Sequence, residues 1–152
     1  MRIIARAKVP FDIASYEVDE SDLSGVHISL TMGIDPARVY KTLVARGDKN
    51  GINVFVIPVA EELDLKKCAK VSSNKSVEMI AVKELFTVTG YIRGGCSPIG
   101  MKKKYRTFFD EMIELVDSVC VSAGQRGVQL RLKPADLISF TEGAVGDFAM
   151  RG

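Results

Sequence analysis

KTLVARGDKNGINVFVIPV, residues 41–59, reads as a β-hairpin. Lys41, Leu43 and Ala45 alternate with Thr42 and Val44, the period of two that a pleated strand imposes on its side chains. GDKNG, residues 47–51, has the turn chemistry, and INVFVIPV returns as a mostly apolar strand. Just upstream, DPARVY offers Asp35 as a helix N-cap and Pro36 at the first helical position. Lys41 then stands where a helix hands over to a strand.

Outward from this hairpin the pattern stays mixed. VPFDIASYEV, residues 9–18, reads as an early strand with Phe11, Ile13 and Ser15 on one face. AEELDLKKCAKVS, residues 60–72, reads as a helix with Leu63, Leu65, Cys68 and Ala69 on one side. A shorter helix over 81–88 leads into a glycine-rich loop. YRTFFDEMI, residues 105–113, reads as a strand, and SVCVSAGQRGVQLRL, residues 118–132, as a hairpin around AGQRG. Pro134 and Asp136 open a last helix. SDLSGVHISLTM (21–32) and GAVGDFAMRG (143–152) carry no assignment. The order predicts an α/β fold, a single domain over 1–152 with a mixed, curved β-sheet surrounded by helices. A doubly wound sheet would need more regular alternation of strand and helix.

Composition narrows the function. The 152 residues suit one domain. No apolar run reaches the roughly 18 residues of a membrane span, and Arg6 and Lys8 interrupt the apolar amino-terminal residues, which speaks against a secretory signal. The expected compartment is the cytoplasm. The net charge of +2 is too small to argue nucleic-acid binding by itself. Its distribution says more: Arg93, Lys102, Lys103, Lys104 and Arg106 fall in one stretch, while EVDESDLS and AEELDL are acidic. Three cysteines at long spacings fit neither a disulfide framework nor a zinc site. With His27 the only histidine, metal chemistry through His and Cys and a histidine-based triad are both poor fits.

GYIRGGCSPIGMKKKYR, residues 90–106, is where chemistry concentrates. Gly94, Gly95 and Gly100 let the backbone approach a ligand, and exposed N–H groups in such a loop cradle a phosphate or polarise a carbonyl. The same glycines serve equally well in a tight connection between helix and strand. The Gly-Lys-Ser/Thr ending of a phosphate-binding P-loop is missing. Cys96 has basic neighbours that favour a thiolate, but no histidine nearby in sequence, and reads better as a small apolar turn residue. Lys41, among hydrophobic neighbours, either runs its stem along the strand to water or lines a cleft as an anion or carbonyl ligand. The run KKKYR is either a solvated face or a phosphate-contact patch, and Tyr105 either a core aromatic or a stacking one. Asp136 stands in a first helical turn, where it favours the dipole.

Three motifs in one order, GIDPARVYKTLV, GYIRGGCSPIGMKKKYRTFFDE and SVCVSAGQRGVQLRLKPADL, resemble the YbaK/EbsC-type Cys-tRNA(Pro) deacylases. These are freestanding relatives of the editing domain inserted in bacterial prolyl-tRNA synthetases. The resemblance covers residues 9–140, and the Lys-Thr pair together with GGCSPIG is its specific part. It implies a compact mixed sheet, partly barrel-like, with helices packed around it. It implies Lys41 as the key lysine, with Gly94 and Gly95 polarising the ester carbonyl. Tyr16, Thr42, Cys96, Ser97, Ser122 and Asp136 would surround the substrate. Arg93, Lys102, Lys103, Lys104 and Arg106 would meet the acceptor stem of mischarged tRNA(Pro). Prolyl-tRNA synthetase is the implied protein partner, and neither a metal nor an organic cofactor is implied. The family's substrate is thought to supply its own nucleophile: the cysteine thiol attacks its ester carbonyl and a thiolactone forms. Deacylation of Ala-tRNA(Pro) or another mischarged tRNA, and a non-catalytic tRNA or synthetase-binding role, are the alternatives.

Overall fold

The computed structural model describes residues 2–151. Its elements run α1 (Arg2–Arg6), β1 (Asp12–Ser15), α2 (Gly25–Met32), β2 (Tyr40–Gly47), β3 (Gly51–Pro58), α3 (Leu65–Val71), β4 (Val77–Met79), α4 (Leu85–Thr89), β5 (Arg106–Asp110), β6 (Val119–Ser122), β7 (Val128–Leu132), α5 (Pro134–Thr141) and β8 (Ala144–Gly146). The α/β class is as expected. The strands form two sheets, β1-β7-β6 and β4-β2-β3-β5-β8. The small sheet is antiparallel throughout; in the large one β3–β5 and β5–β8 are parallel. A parallel bridge from Val39 to Cys120 joins the two. The expected single curved, partly barrel-like sheet is therefore two sheets with a point of union.

The hairpin forms as its sequence dictates. Gly47 stands opposite Gly51 and Lys41 opposite Ile57. Asp48 accepts from the N–H groups of Ser76 and Lys75 at 3.0 and 2.9 Å, and these bonds hold its carboxyl below the usual range. Asn50 donates to the Ser72 carbonyl at 2.7 Å. β3 is then buried on both faces. Val54 and Val56 pack with Phe109, Val121, Leu130, Leu132 and Leu137. Phe55 and Ile57 pack with Cys68 and Ala69 of α3 and with Phe108 and Phe148. Burial on both faces is why INVFVIPV is apolar almost without interruption. Each large side chain so buried contributes about 1.5–3 kcal/mol.

Elsewhere the elements are shorter than the sequence predicts. Asp35 caps as expected, accepting from the Ala37 N–H at 2.9 Å. The helix it starts is a single 3₁₀ turn, Pro36–Arg38, because Val39 is drawn into its bridge with Cys120. The strand expected over 9–18 narrows to β1, an edge strand whose Ile13 is exposed. The strand expected over 105–113 stops at Asp110, whose carboxylate caps the next turn through the Met112 N–H at 3.1 Å. Both unassigned stretches fold: 21–32 contains α2, and 143–152 contributes β8 and the fully buried Phe148.

Candidate active site

A cleft of about 650 Å³ opens where the two sheets meet. Lys41 and Thr42 of β2 line it together with Ser122 of β6 and Gln129 of β7. Residues 23–26 at the start of α2, the segment 79–82 with Leu85, and Arg93, Gly94 and Cys96 of the glycine-rich loop complete its surround. The packing is close: a Cβ on Gly25 would lie 2.3 Å from the Val59 side chain, so only glycine lets α2 start against β3's end.

Lys41 keeps 23% of its side chain exposed, and its Nζ lies 3.4 Å from Glu62 Oε1. Glu62 is 76% exposed, so the pair is worth under about 1 kcal/mol and an anionic ligand can displace the carboxylate. Around Lys41 the cleft holds polar atoms with open valences. Thr42 Oγ1 and Gln129 Oε1 are buried and have no protein partner. Ser122 Oγ accepts from the Gly124 N–H at 3.2 Å, leaving its own O–H to donate. Buried unpaired groups in a cleft are what a ligand completes. Tyr40, also lining the cleft, is no base: burial, with the charge of Asp110, raises its phenol well above the ordinary value.

The loop divides between structure and site. The Gly95 N–H donates to the Ile92 carbonyl at 3.0 Å, and a Cβ on Gly95 would meet the backbone of Gln125 and Arg126 at 3.2 Å. Gly95 is thus a packing glycine, and its N–H is not free to polarise a carbonyl. Gly94 does line the cleft, at φ +84°. Among the described residues, the N–H groups of Gly94 and Cys96 donate to no protein acceptor. Ser97 is fully buried, its Oγ accepting from the Ile99 N–H at 3.2 Å. Burial pushes the Cys96 thiol up to about 11, against a smaller opposing effect of a hydrogen bond with Thr89. A thiol held neutral at physiological pH is not a nucleophile.

Three expected substrate contacts lie elsewhere, the buried Ser97 being one of them. Asp136 sits in the first turn of α5 and Tyr16 follows β1, its N–H bonded to the Gly127 carbonyl at 2.9 Å; neither lines the cleft. The basic run also disperses. Lys102 lies with its Nζ 5.0 Å from the Phe86 ring centroid. Lys104 pairs with Glu142. Arg106 turns back to the Ser72 carbonyl at 3.0 Å and over the Phe108 ring. Lys103 is exposed. Gln129 is the residue the sequence reading passed over. Its signal was faint: a polar residue between Val128 and Leu130 in a hairpin strand ordinarily faces water, whereas here it is 4% exposed. No group of three or more His, Cys, Asp or Glu side chains gathers as a metal site among the described residues. No described helix is long and apolar enough to cross a membrane.

The sequence model of the aminoacyl-tRNA editing domain matches residues 28–140. The chain belongs to that family. This editing domain is 44% identical over 151 residues to a protein of Enterococcus faecalis (strain ATCC 700802 / V583) named "Putative Cys-tRNA(Pro)/Cys-tRNA(Cys) deacylase EbsC", covering 99% of this chain and 92% of that one. Among solved structures, the fold matches "a putative trans-editing enzyme for prolyl tRNA synthetase" with a TM-score of 0.81 at 21% identity, over 93% of the editing domain and 87% of that chain. It matches the hypothetical protein APE2540 with a TM-score of 0.88 at 18% identity, over 98% and 97% of the two chains. At such identities the structures establish the fold alone. Lys41, Thr42, Gly94, Cys96, Ser122 and Gln129, which the cleft brings together, all fall inside the matched residues of the editing domain.

Proposed function

We propose that this protein is a trans-editing aminoacyl-tRNA deacylase that removes cysteine mischarged on tRNA(Pro). One observation carries the reading of mechanism: the cleft holds a displaceable ammonium and unpaired polar groups but, among the described residues, no activated protein nucleophile. The name of the Enterococcus faecalis relative supports the amino acid and the tRNA. The substrate's own thiol then supplies the nucleophile. Its sulfur attacks the ester carbonyl, the carbon–oxygen bond to the ribose breaks, the terminal hydroxyl leaves with the thiol's proton, and a thiolactone is released. The protein contributes position and electrostatics.

Each role goes to a group in the cleft. Lys41 leaves Glu62 to hold the substrate beside the ester. The N–H groups of Gly94 and Cys96 stabilise the charge that grows on the carbonyl oxygen. Gln129 Oε1 accepts from the substrate's α-ammonium, and the Thr42 and Ser122 hydroxyls hold the ribose. Arg93 and the exposed lysines meet backbone phosphates. The reaction needs no metal or organic cofactor. The partners are the acceptor end of mischarged tRNA(Pro) and, to select the tRNA, prolyl-tRNA synthetase; the compartment is the cytoplasm. Such a mechanism explains selectivity that a pocket alone could not supply, since one methylene discriminates by only about 1–3 kcal/mol.

The test is deacylation of Cys-, Ala- and Pro-tRNA(Pro) by the purified protein, with Lys41→Ala alongside. Loss of cysteine alone, abolished in the variant, is the expected result. Loss of alanine instead would keep the deacylase and discard the thiol mechanism. Absence of turnover on all three would leave a binding module.

A further inference from the structure

The segment on one side of the cleft carries apolar surface that the chemistry at Lys41 does not use. Met79, Val82 and Phe86 are 42%, 65% and 58% exposed. Val82 and Leu85 line the cleft, and Phe86 follows in the same turn. At spacings of three and four, Val82, Leu85 and Phe86 share one face. Scattered exposed apolar residues need no explanation; a group of them at the mouth of a polar cleft does.

A cation stands over this face. Lys102 Nζ is 5.0 Å from the Phe86 ring centroid. It is held there on both sides: the Lys102 N–H donates to the Thr89 carbonyl at 3.1 Å, and a Cβ on Gly90 would lie 3.3 Å from Lys102 Cγ. Tyr105 donates to the Val88 carbonyl at 2.7 Å, tying the basic run to the end of α4. The acid of this segment, Glu84, is taken up by Arg46 at 3.4 Å and by the Ala81 N–H. The exposed Lys83, three residues before Phe86, and Lys102 therefore leave the surroundings of Phe86 positive.

An aromatic face beside ammonium groups, continuous with a cleft for an esterified nucleoside, suits single-stranded RNA. Bases stack on such a ring whatever their identity, and the ammonium meets the backbone. We propose that Phe86, with Val82 and Lys102, is a stacking platform for the unpaired nucleotides that precede the terminal nucleoside of the tRNA 3′ end. The inference rests on the deacylase reading and deepens it. The positive surround and the continuity with the cleft favour RNA over a second copy of the chain or a protein partner.

The experiment compares wild type, Phe86→Ala and Phe86→Tyr on Cys-tRNA(Pro) and on cysteinyl-adenosine, which carries the ester but no further base. Phe86→Ala raises KM for the tRNA on the order of tenfold, with the loss in KM rather than kcat and far smaller on cysteinyl-adenosine. Phe86→Tyr restores the wild-type KM. Equal KM for the tRNA in Phe86→Ala and wild type overturns the platform, as does an equal loss on both substrates. Sedimentation identifies a surface for a second copy: self-association lost in Phe86→Ala, with KM unmoved, also overturns it. Titration of the uncharged trinucleotide CCA separates the two readings. If wild type deacylates neither substrate, the deacylase reading fails, but weaker trinucleotide binding in Phe86→Ala still supports the platform, and unchanged binding sinks it.

Discussion

The molecule holds its positive charge in two ways. Lys41 lines a cleft, its ammonium confined there with one loosely held carboxylate 3.4 Å away. Residues 102–106 are crowded with lysine and arginine, yet the fold sends them in different directions. Lys102 lies over Phe86, Lys104 pairs with Glu142, and Arg106 folds back onto the Ser72 carbonyl. Density of charge along a sequence thus says little about density in space. Confinement does: a single ammonium in a cleft with few competing partners does more for a bound ester than several in water.

The comparison breaks first at Lys41. Lys41→Ala is expected to lower kcat for deacylation about a hundredfold or more, the scale of losing one preorganised charge-stabilising group. Its thermal unfolding should hardly move, since an exposed pair is worth under about 1 kcal/mol. A variant that keeps full turnover would show that the confined charge is idle. In the basic run, Lys103→Ala should weaken tRNA binding severalfold and flatten the slope of log affinity against log salt by about 1, read by binding titrations at several ionic strengths. Arg106→Ala should behave in the opposite way. It loses a charge-assisted bond to a carbonyl, costs about 1 kcal/mol in chemical denaturation, and leaves the salt dependence alone. A salt slope that falls equally in both variants would restore the run to a single patch.

The smallest effects concern Cys96. Cys96→Ala should retain most turnover, because the thiol is held neutral by burial. Its pKa rises on folding from an ordinary 9.0 to about 11. The folded state therefore binds the extra proton between those values, so this thiol's contribution to stability is full below pH 9 and is lost as pH rises toward 11. Melting temperature measured from pH 8 to 11 should fall less steeply in Cys96→Ala. A pH–rate profile that loses an inflection in this variant would instead make the thiol a participant.

Hairpins were the legible part of this fold, because turn residues and alternation are local. GDKNG and AGQRG each gave their strands with the right partners, and both Asp35 and Pro134 marked real starts. What stayed hidden depended on distant segments. β4 and β8 are three residues each and exist by pairing with β2 and β5. The apolar pattern of 21–32 is weak because α2 keeps only Ile28 and Ser29 buried. The site shows the same division. Lys41, Thr42, Gly94, Cys96 and Ser122 were readable through motifs, and the cleft gathers them. Asp136 looked equally suitable in sequence, but α5 carries it away from the cleft. Gln129 was invisible because alternation assigns its side of β7 to water, whereas the fold buries it in the lining of the cleft.

The small sheet joins segments far apart in the sequence: Asp12 of β1 stands opposite Arg131 of β7. β7 also carries Gln129, and its partner β6 carries Ser122. During synthesis the β2–β3 hairpin can form as soon as it emerges, whereas pairing across so long a separation waits on the slow closure of a large loop. Lys41 is thus in place early and its companions arrive late. A growing polypeptide lacks the Ser122 and Gln129 side of its cleft until β7 has left the ribosome, so this cleft is among the last features of the molecule to be completed.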